Sequence, residues 1–320
     1  MALVLQRVEG FARGATVWDK DGLTMGHFMK FAALALTLLA APAFSAPAVT
    51  PPLADVLAAA PAADWRPIAQ DRLLYLETAR GQVLIEMAPD FAPGHVGNIK
   101  RLIAAGFFNH VAIVRAQDNF VVQWGVPEKD PKPALGQARA KLPGEFTRSA
   151  GGLAFTALPD RDAYAAQTGF VAGFPAARDP KSGRAWLIHC YGAVAVARDN
   201  APDTGNGGEL YAVIGQARRL DRNLTVVGRV VRGMEILAVT PRGDAALGFY
   251  GKPADNAPVR MRLGSDLPAA EQVSLQALRT DSATFARVAE GRRNRRDAFY
   301  ATPQGGVDVC DVPLPVRPKP

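Results

Sequence analysis

The sequence predicts a mainly β fold with some α: a closed antiparallel β-barrel capped by two helices, followed by a C-terminal helical extension. Three observations lead there. Patterned segments run in the order strand, helix, several strands, helix, strand. Turn formers are abundant, with Gly 30 and Pro 25 in 320 residues, which favours a β-rich chain over a helix bundle. Hydrophobic residues make up 48% and charged residues 21%, so the chain can bury a core and is not a disordered polymer.

The first patterned feature is a leader. Met29-Lys30 precedes FAALALTLLAAPAFSA, a short positive stretch, an apolar run of about ten residues from Phe31, and then small residues. The run is too short to span a bilayer, which takes ~20 residues. It reads as a secretory signal over about 29–45, cleaved after Ala43 or Ser45, with an uncleaved anchor as the alternative. Residues 1–28 carry mixed charge without pattern and read as an upstream extension, with Met25 or Met29 the initiator. Together 1–45 form the leader, and the protein is expected to be periplasmic or otherwise exported, without stable membrane insertion after cleavage. Residues 46–69 are rich in Ala and Pro and read as a linker.

Regular patterning begins near Leu73. Leu73 to Thr78 and Gln82 to Met87 are strand-like runs about Ala79-Arg80-Gly81, a hairpin. Pro93 suits the first position of a helix in which Val96, Ile99, Leu102 and Ile103 share a face, and Gly106 is placed to end it. Val111 to Ala116 and Phe120 to Gln123 form a second hairpin across Asp118-Asn119. From Val126 to Trp186 the chain is rich in Pro, Gly and Ala and weakly patterned; an insertion of about 126–189 is expected to be extended loops with a few short elements. Strands resume at Ala193 to Ala197, Tyr211 to Ile214 and Thr225 to Val231. Gly233 to Val239 is a short helix stopped by Pro241, and Val259, Met261 and Leu263 alternate as the last strand. These elements define a domain over 70–264. Beyond it, 265–320 is an extension. Asp266 to Tyr300 reads as helical, with Leu275, Leu278, Phe285 and Val288 at helix spacing, packed on the barrel or a partner and dispensable for catalysis. A Pro-rich tail follows from Ala301.

Most catalytic chemistries find no support. Four His and two Cys exclude a Cys-built zinc module and a multi-disulfide scaffold, and leave a single Cys190–Cys310 disulfide open. His95, His110 and His189 form no HExxH or HxH pair, and no GxSxG, SxxK or phosphate-binding GxxxxGK[ST] occurs. No metal or cofactor is expected. The net charge of +7 includes the cluster Arg292-Arg293-Asn294-Arg295-Arg296, read as a solvated helix end or a contact with anionic lipid rather than a nucleic-acid site. Arg115 stands out. It sits mid-strand among apolar neighbours in VAIVRA, and desolvating a guanidinium needs a reason. Pairing across the second hairpin could set it beside an aromatic ring and an amide, Phe120 and Gln123. A structural ion pair is the plainer account of it.

The surrounding residues change that balance. ARGQVLIEMAPDFAPGHVGNIKRLIAAGFFNHVAIVRAQDNFVVQWG resembles the N-terminal half of the cyclophilin family of peptidyl-prolyl isomerases. NAPDTGNGGELYAVIG and RLDRNLTVVGRVVRGMEIL resemble two later segments of that family, in the right order, so that the resemblance covers roughly 72–264. It implies a cyclophilin-like barrel and catalysis of X–Pro cis–trans isomerisation without metal or cofactor. The partners it implies are proline-containing unfolded or extended polypeptide segments, not nucleic acid. Carried over residue by residue, the catalytic arginine is Arg115. Phe120 and Val121 match the floor of the proline pocket, Gln123 the substrate-orienting glutamine, Tyr211 the ring-lined wall and Leu220 the pocket leucine.

The sequence also departs from the family. FHRV reads Ile113-Val114-Arg115-Ala116, so a histidine is lost. Glu209 stands for a glutamine, Leu224 for a second histidine, and Arg219 for the aromatic residue, often tryptophan, that contacts cyclosporin in strongly binding members. Glu209 and Leu224 still belong to the substrate-binding set by position. These departures leave a second reading: a peptide-binding chaperone module for envelope proteins with little or no turnover.

Overall fold

A computed structural model describes residues 49–252 and 255–319. The leader with its signal and candidate initiators lies outside the described residues. Among the described residues, no helix is long and apolar enough to cross a membrane.

Eight antiparallel strands close into a barrel. Around it they run Ala193–Val196, Leu210–Val213, Val121–Gly125, Val111–Gln117, Ala257–Leu263, Leu73–Thr78, Gly81–Met87 and Val226–Arg232, which pairs back to the first. Each strand sends alternate residues inward. Leu74, Leu76, Val83, Ile85, Ile113, Val122, Trp124, Val194 and Met261 meet there in one buried cluster. The helix Pro93–Ala104 caps it with Val96, Ile99 and Leu102. Pro at its start lacks only an N–H the helix would leave unpaired anyway. Gly106, at φ 73, ends it in the left-handed region, with its N–H on the Ile103 carbonyl at 2.9 Å. The second cap, Met234–Ala238, contributes Leu237.

The expectation for the insertion was wrong in its second half. Arg148–Ser149, Phe155–Ala157, Gln167–Val171, Phe174–Asp179 and Arg184–Leu187 form a five-stranded antiparallel sheet. Its pattern was hidden because both faces are buried, which removes the polar half of the alternation. Val171, Ala176 and Leu187 pack toward Val121, Tyr211 and Val213 on the outside of the barrel. Phe170, Ala177 and Trp186 pack the other way.

That second face is covered by the chain on both sides of the barrel domain. Residues 46–69 are therefore not a free linker where they are described. Leu53–Ala58 is a helix with Val56 buried, and Trp65–Pro67 is a strand. Ala and Pro dominate the composition, but the few large apolar residues anchor the segment. The C-terminal extension also needs correcting. Only Ala283–Arg293 is an α-helix within 266–300, started by the Ser282 side chain accepting from the Phe285 N–H at 3.1 Å. Leu275–Leu278 is a strand between Trp65–Pro67 and Val316–Pro318. A four-residue apolar run fits either period, and sheet pairing decided it. The helix packs Phe285, Val288 and Ala289 onto the insertion sheet rather than the barrel. Cys190 and Cys310 are joined by a disulfide, with Cα atoms 5.1 Å apart across a sequence separation of 120.

Candidate active site

The site is a row of residues across three neighbouring strands. Arg115 lies opposite Gln123, and Gln123 lies opposite Tyr211. Alternation alone would not put them together. Ile113 is inside the barrel, and two residues on Arg115 would share its face. The register shifts between them: Ile113 pairs with Trp124 and Arg115 with Gln123, so Val114 is an extra residue in its strand. This β-bulge turns Arg115 outward, while Ala116 returns to the interior beside Val122.

Arg115 is held on several sides. Its Nε donates to the Leu247 carbonyl at 2.7 Å, one Nη to Gln123 Oε1 at 3.4 Å, and the other to Gln117 Oε1. Gln123 Nε2 in turn donates to Glu209 Oε1. The guanidinium carbon lies 5.3 Å from the centre of the Phe120 ring and 5.2 Å from that of Phe249. Burial lowers the Arg115 pKa, Glu209 opposes that, and Arg219 adds to it. Burial pushes the Glu209 carboxyl up, against the hydrogen bond from Gln123.

Every site residue expected from the sequence borders one open cleft of ≈ 860 Å³: Arg115, Phe120, Val121, Gln123, Glu209, Tyr211, Leu220 and Leu224. Phe120, Leu220 and Leu224 are partly buried against the apolar layer that contains Val121 and Tyr211. Sequence reasoning missed two contributors. Leu247 and Phe249 come from the loop after the second cap; Leu247 supplies a carbonyl and Phe249 a ring and a bridge to the Arg115 backbone. Nothing in the local pattern marks them beyond the Phe249-Tyr250 aromatic pair.

His189, for which the sequence offered no metal-binding motif, is structural support for the site. It is 1% exposed and sits between the Asp221 carboxylate and the Tyr211 hydroxyl. Asp221 also binds Arg218, whose guanidinium is paired with both oxygens of Asp162 from the insertion. Burial pushes the Tyr211 hydroxyl pKa up, and the Asp221 charge adds to this, so it stays protonated as a donor. The buried His189 thus holds the cleft wall through Tyr211.

The model of the cyclophilin type peptidyl-prolyl cis-trans isomerase/CLD family matches residues 73–250. The chain belongs to this family. Curated relatives are similar over the same region: "probable peptidyl-prolyl cis-trans isomerase" proteins of Brucella suis and Brucella abortus are each 27% identical over 176 residues, 55% of this chain and 74% of theirs. The crystal structure of cyclophilin AquaCyp293 from Hirschia baltica is similar at a TM-score of 0.63 and 26% identity. That match covers 79% of this chain and 92% of the other, so its likeness reaches beyond residues 73–250. The barrel with its two caps is the cyclophilin fold expected from the sequence.

Proposed function

We propose that this cyclophilin isomerises X–Pro bonds in extended or unfolded polypeptide by donation from Arg115 to the prolyl nitrogen. Amide resonance sets a barrier of ~18–20 kcal/mol. Twisting the bond breaks that resonance and leaves the nitrogen pyramidal and basic. A donor aimed at that nitrogen bonds only to the twisted state, which is differential binding of the transition state. A guanidinium suits the task because it stays charged and presents its N–H groups rigidly. Here the Leu247 carbonyl, Gln117 and Gln123 fix it in place. Phe120, Val121, Leu220 and Leu224 form the apolar floor that would take the proline ring and exclude water. Gln123, next to Arg115 in the row, is placed to hold the substrate backbone.

The observation that carries this reading is the row Arg115–Gln123–Tyr211 turned outward by the bulge at Val114. The experiment is magnetization-exchange NMR on a short X–Pro peptide. Arg115→Ala should keep the fold and lose ~10²–10³ in kcat/KM, the usual cost of removing one such donor. Near-wild-type turnover in the folded variant overturns the assignment.

The clients are proposed to be exported proteins. The apolar run from Phe31 with its small-residue exit supports this, and so does the Cys190–Cys310 disulfide, since such bonds persist in oxidising compartments. Mass spectrometry of envelope-fraction protein should find a mature chain beginning near Phe44 or Ala46; one still carrying Phe31 to Leu39 means an anchor instead.

A further inference from the structure

The charges around the cleft do not balance. Arg115, Lys132 and Arg198 line it with Asp199 and Glu209. Arg219 stands over the Phe120 ring, its guanidinium carbon 4.2 Å from the ring centre. Most of these groups are engaged. Arg115 is held as described, and Arg198 spends its donors on the backbone carbonyls of Asn223, Asp199 and Asn200. Glu209 accepts from Gln123. Lys132 and Arg219 have no carboxylate partner among the described residues, and of the two only Arg219 stands over the Phe120 ring. It is exposed, and its one hydrogen bond among the described residues goes to the Gln216 carbonyl at 3.2 Å. No carboxylate pairs with it there.

We infer that this isomerase prefers X–Pro segments with an acidic side chain next to the proline, and that Arg219 is the residue that sets the preference. The inference rests on the isomerase reading of the cleft. Phe120 is the pocket floor, so a proline packed on it brings its flanking residue within reach of the guanidinium stacked on the same ring. A planar guanidinium with free N–H groups takes a carboxylate through charge-assisted, two-pronged hydrogen bonds. A neutral flanking residue leaves those donors to water, and a lysine meets like charge. A substrate carboxylate would also offset the Arg219 field, which opposes the positive charge of Arg115.

The test is the same NMR exchange measurement on four peptides, Ala-Xaa-Pro-Phe with Xaa as Glu, Gln, Ala or Lys. The Glu:Gln comparison isolates charge at constant shape. At low salt kcat/KM should be about fivefold higher for Glu than for Gln, the upper range for a partly exposed ion pair, and lowest for Lys. The ratio should shrink in high salt. Arg219→Gln should bring the Glu:Gln ratio to about one, and Arg219→Glu should shift the preference to Lys. A wild-type ratio of one, or a ratio that survives in Arg219→Gln, overturns the inference while leaving the isomerase reading intact. No turnover on any of the four peptides overturns that reading and this inference with it.

Discussion

The His189 Nε2 lies 3.0 Å from the Tyr211 hydroxyl, and both residues are almost wholly buried. Nδ1 faces the Asp221 carboxylate at 3.0 Å and donates to it; in the neutral ring Nε2 then accepts the Tyr211 proton. The wall of the proposed proline pocket is thereby tied to Asp221, Arg218 and Asp162, and through Asp162 to the insertion.

Tyr211→Phe should cost roughly 1–3 kcal/mol of stability, because it leaves a buried imidazole nitrogen without its partner. Urea unfolding measures this. A Tyr211→Phe protein as stable as wild type would show that the hydrogen bond contributes nothing net.

Glu209→Gln should stabilise the protein at neutral pH. The folded-state pKa of Glu209 is raised, chiefly by burial, so the folded protein holds the proton more tightly than the unfolded chain does. Its favourable contribution is present below the unfolded value, near 4.5, and is lost as pH rises through the raised folded value. The Gln side chain keeps an oxygen for the Gln123 N–H and carries no charge to desolvate. Melting curves of the two proteins should differ most near neutrality and converge in acid. A gap of constant size across pH 4–8 would mean that titration of Glu209 is not its source.

Cyclosporin should inhibit poorly. The position of the family's drug-contacting tryptophan is filled by Arg219, whose guanidinium, 4.2 Å from the centre of the Phe120 ring, meets the drug with a group that prefers water to an apolar ligand. Titration of the drug into the peptide assay reads this directly. Arg219→Trp should raise drug affinity; tight stoichiometric inhibition of the wild type would show that the rim matters less than argued.

Breaking the Cys190–Cys310 bond should lower thermal stability by roughly 2–5 kcal/mol, the usual range for a native bridge closing a long loop. Paired Cys190→Ser and Cys310→Ser substitutions, or a reductant, should show it as a lower Tm. Cutting the chain at about 265 should do more harm than an appended helix would suggest. It strips Leu278, Phe285 and Val288 from the face of Phe170 and Trp186 and should give an aggregating protein. A soluble, cooperatively melting truncation would show the barrel and insertion to be self-sufficient.

Much of the barrel was legible because its strands alternate or run apolar between clear turn signals, and because three motifs fall in family order. The site residues were legible as residue types, and Arg115 beside Phe120 and Gln123 as a pairing across the second hairpin, but the face they share was not. Strict alternation puts Arg115 beside Ile113 inside the barrel, and an extra residue at Val114 has no sequence signature. Leu247 and Phe249 reach the site through a loop whose path depends on the barrel already being closed. The insertion failed for the opposite reason: with Ala176 and Ala177 buried on opposite faces, the sheet shows no polar face to alternate with. In the extension, Leu275 and Leu278 satisfied a helical spacing by coincidence.

The small sheet built from Trp65–Pro67, Leu275–Leu278 and Val316–Pro318 imposes an order of events during synthesis. Trp65 is made before the barrel, yet its strand partner is Leu278, and the strand flanking that one, Val316–Pro318, is made later still. Contacts so distant in sequence form slowly, because the loop must close before the pairing repays it. Until the segment from Leu278 to Val312 emerges, the face of the insertion sheet around Phe170 and Trp186 lacks most of its cover. The outer layer of this cyclophilin therefore closes only after the barrel and the insertion have both been made.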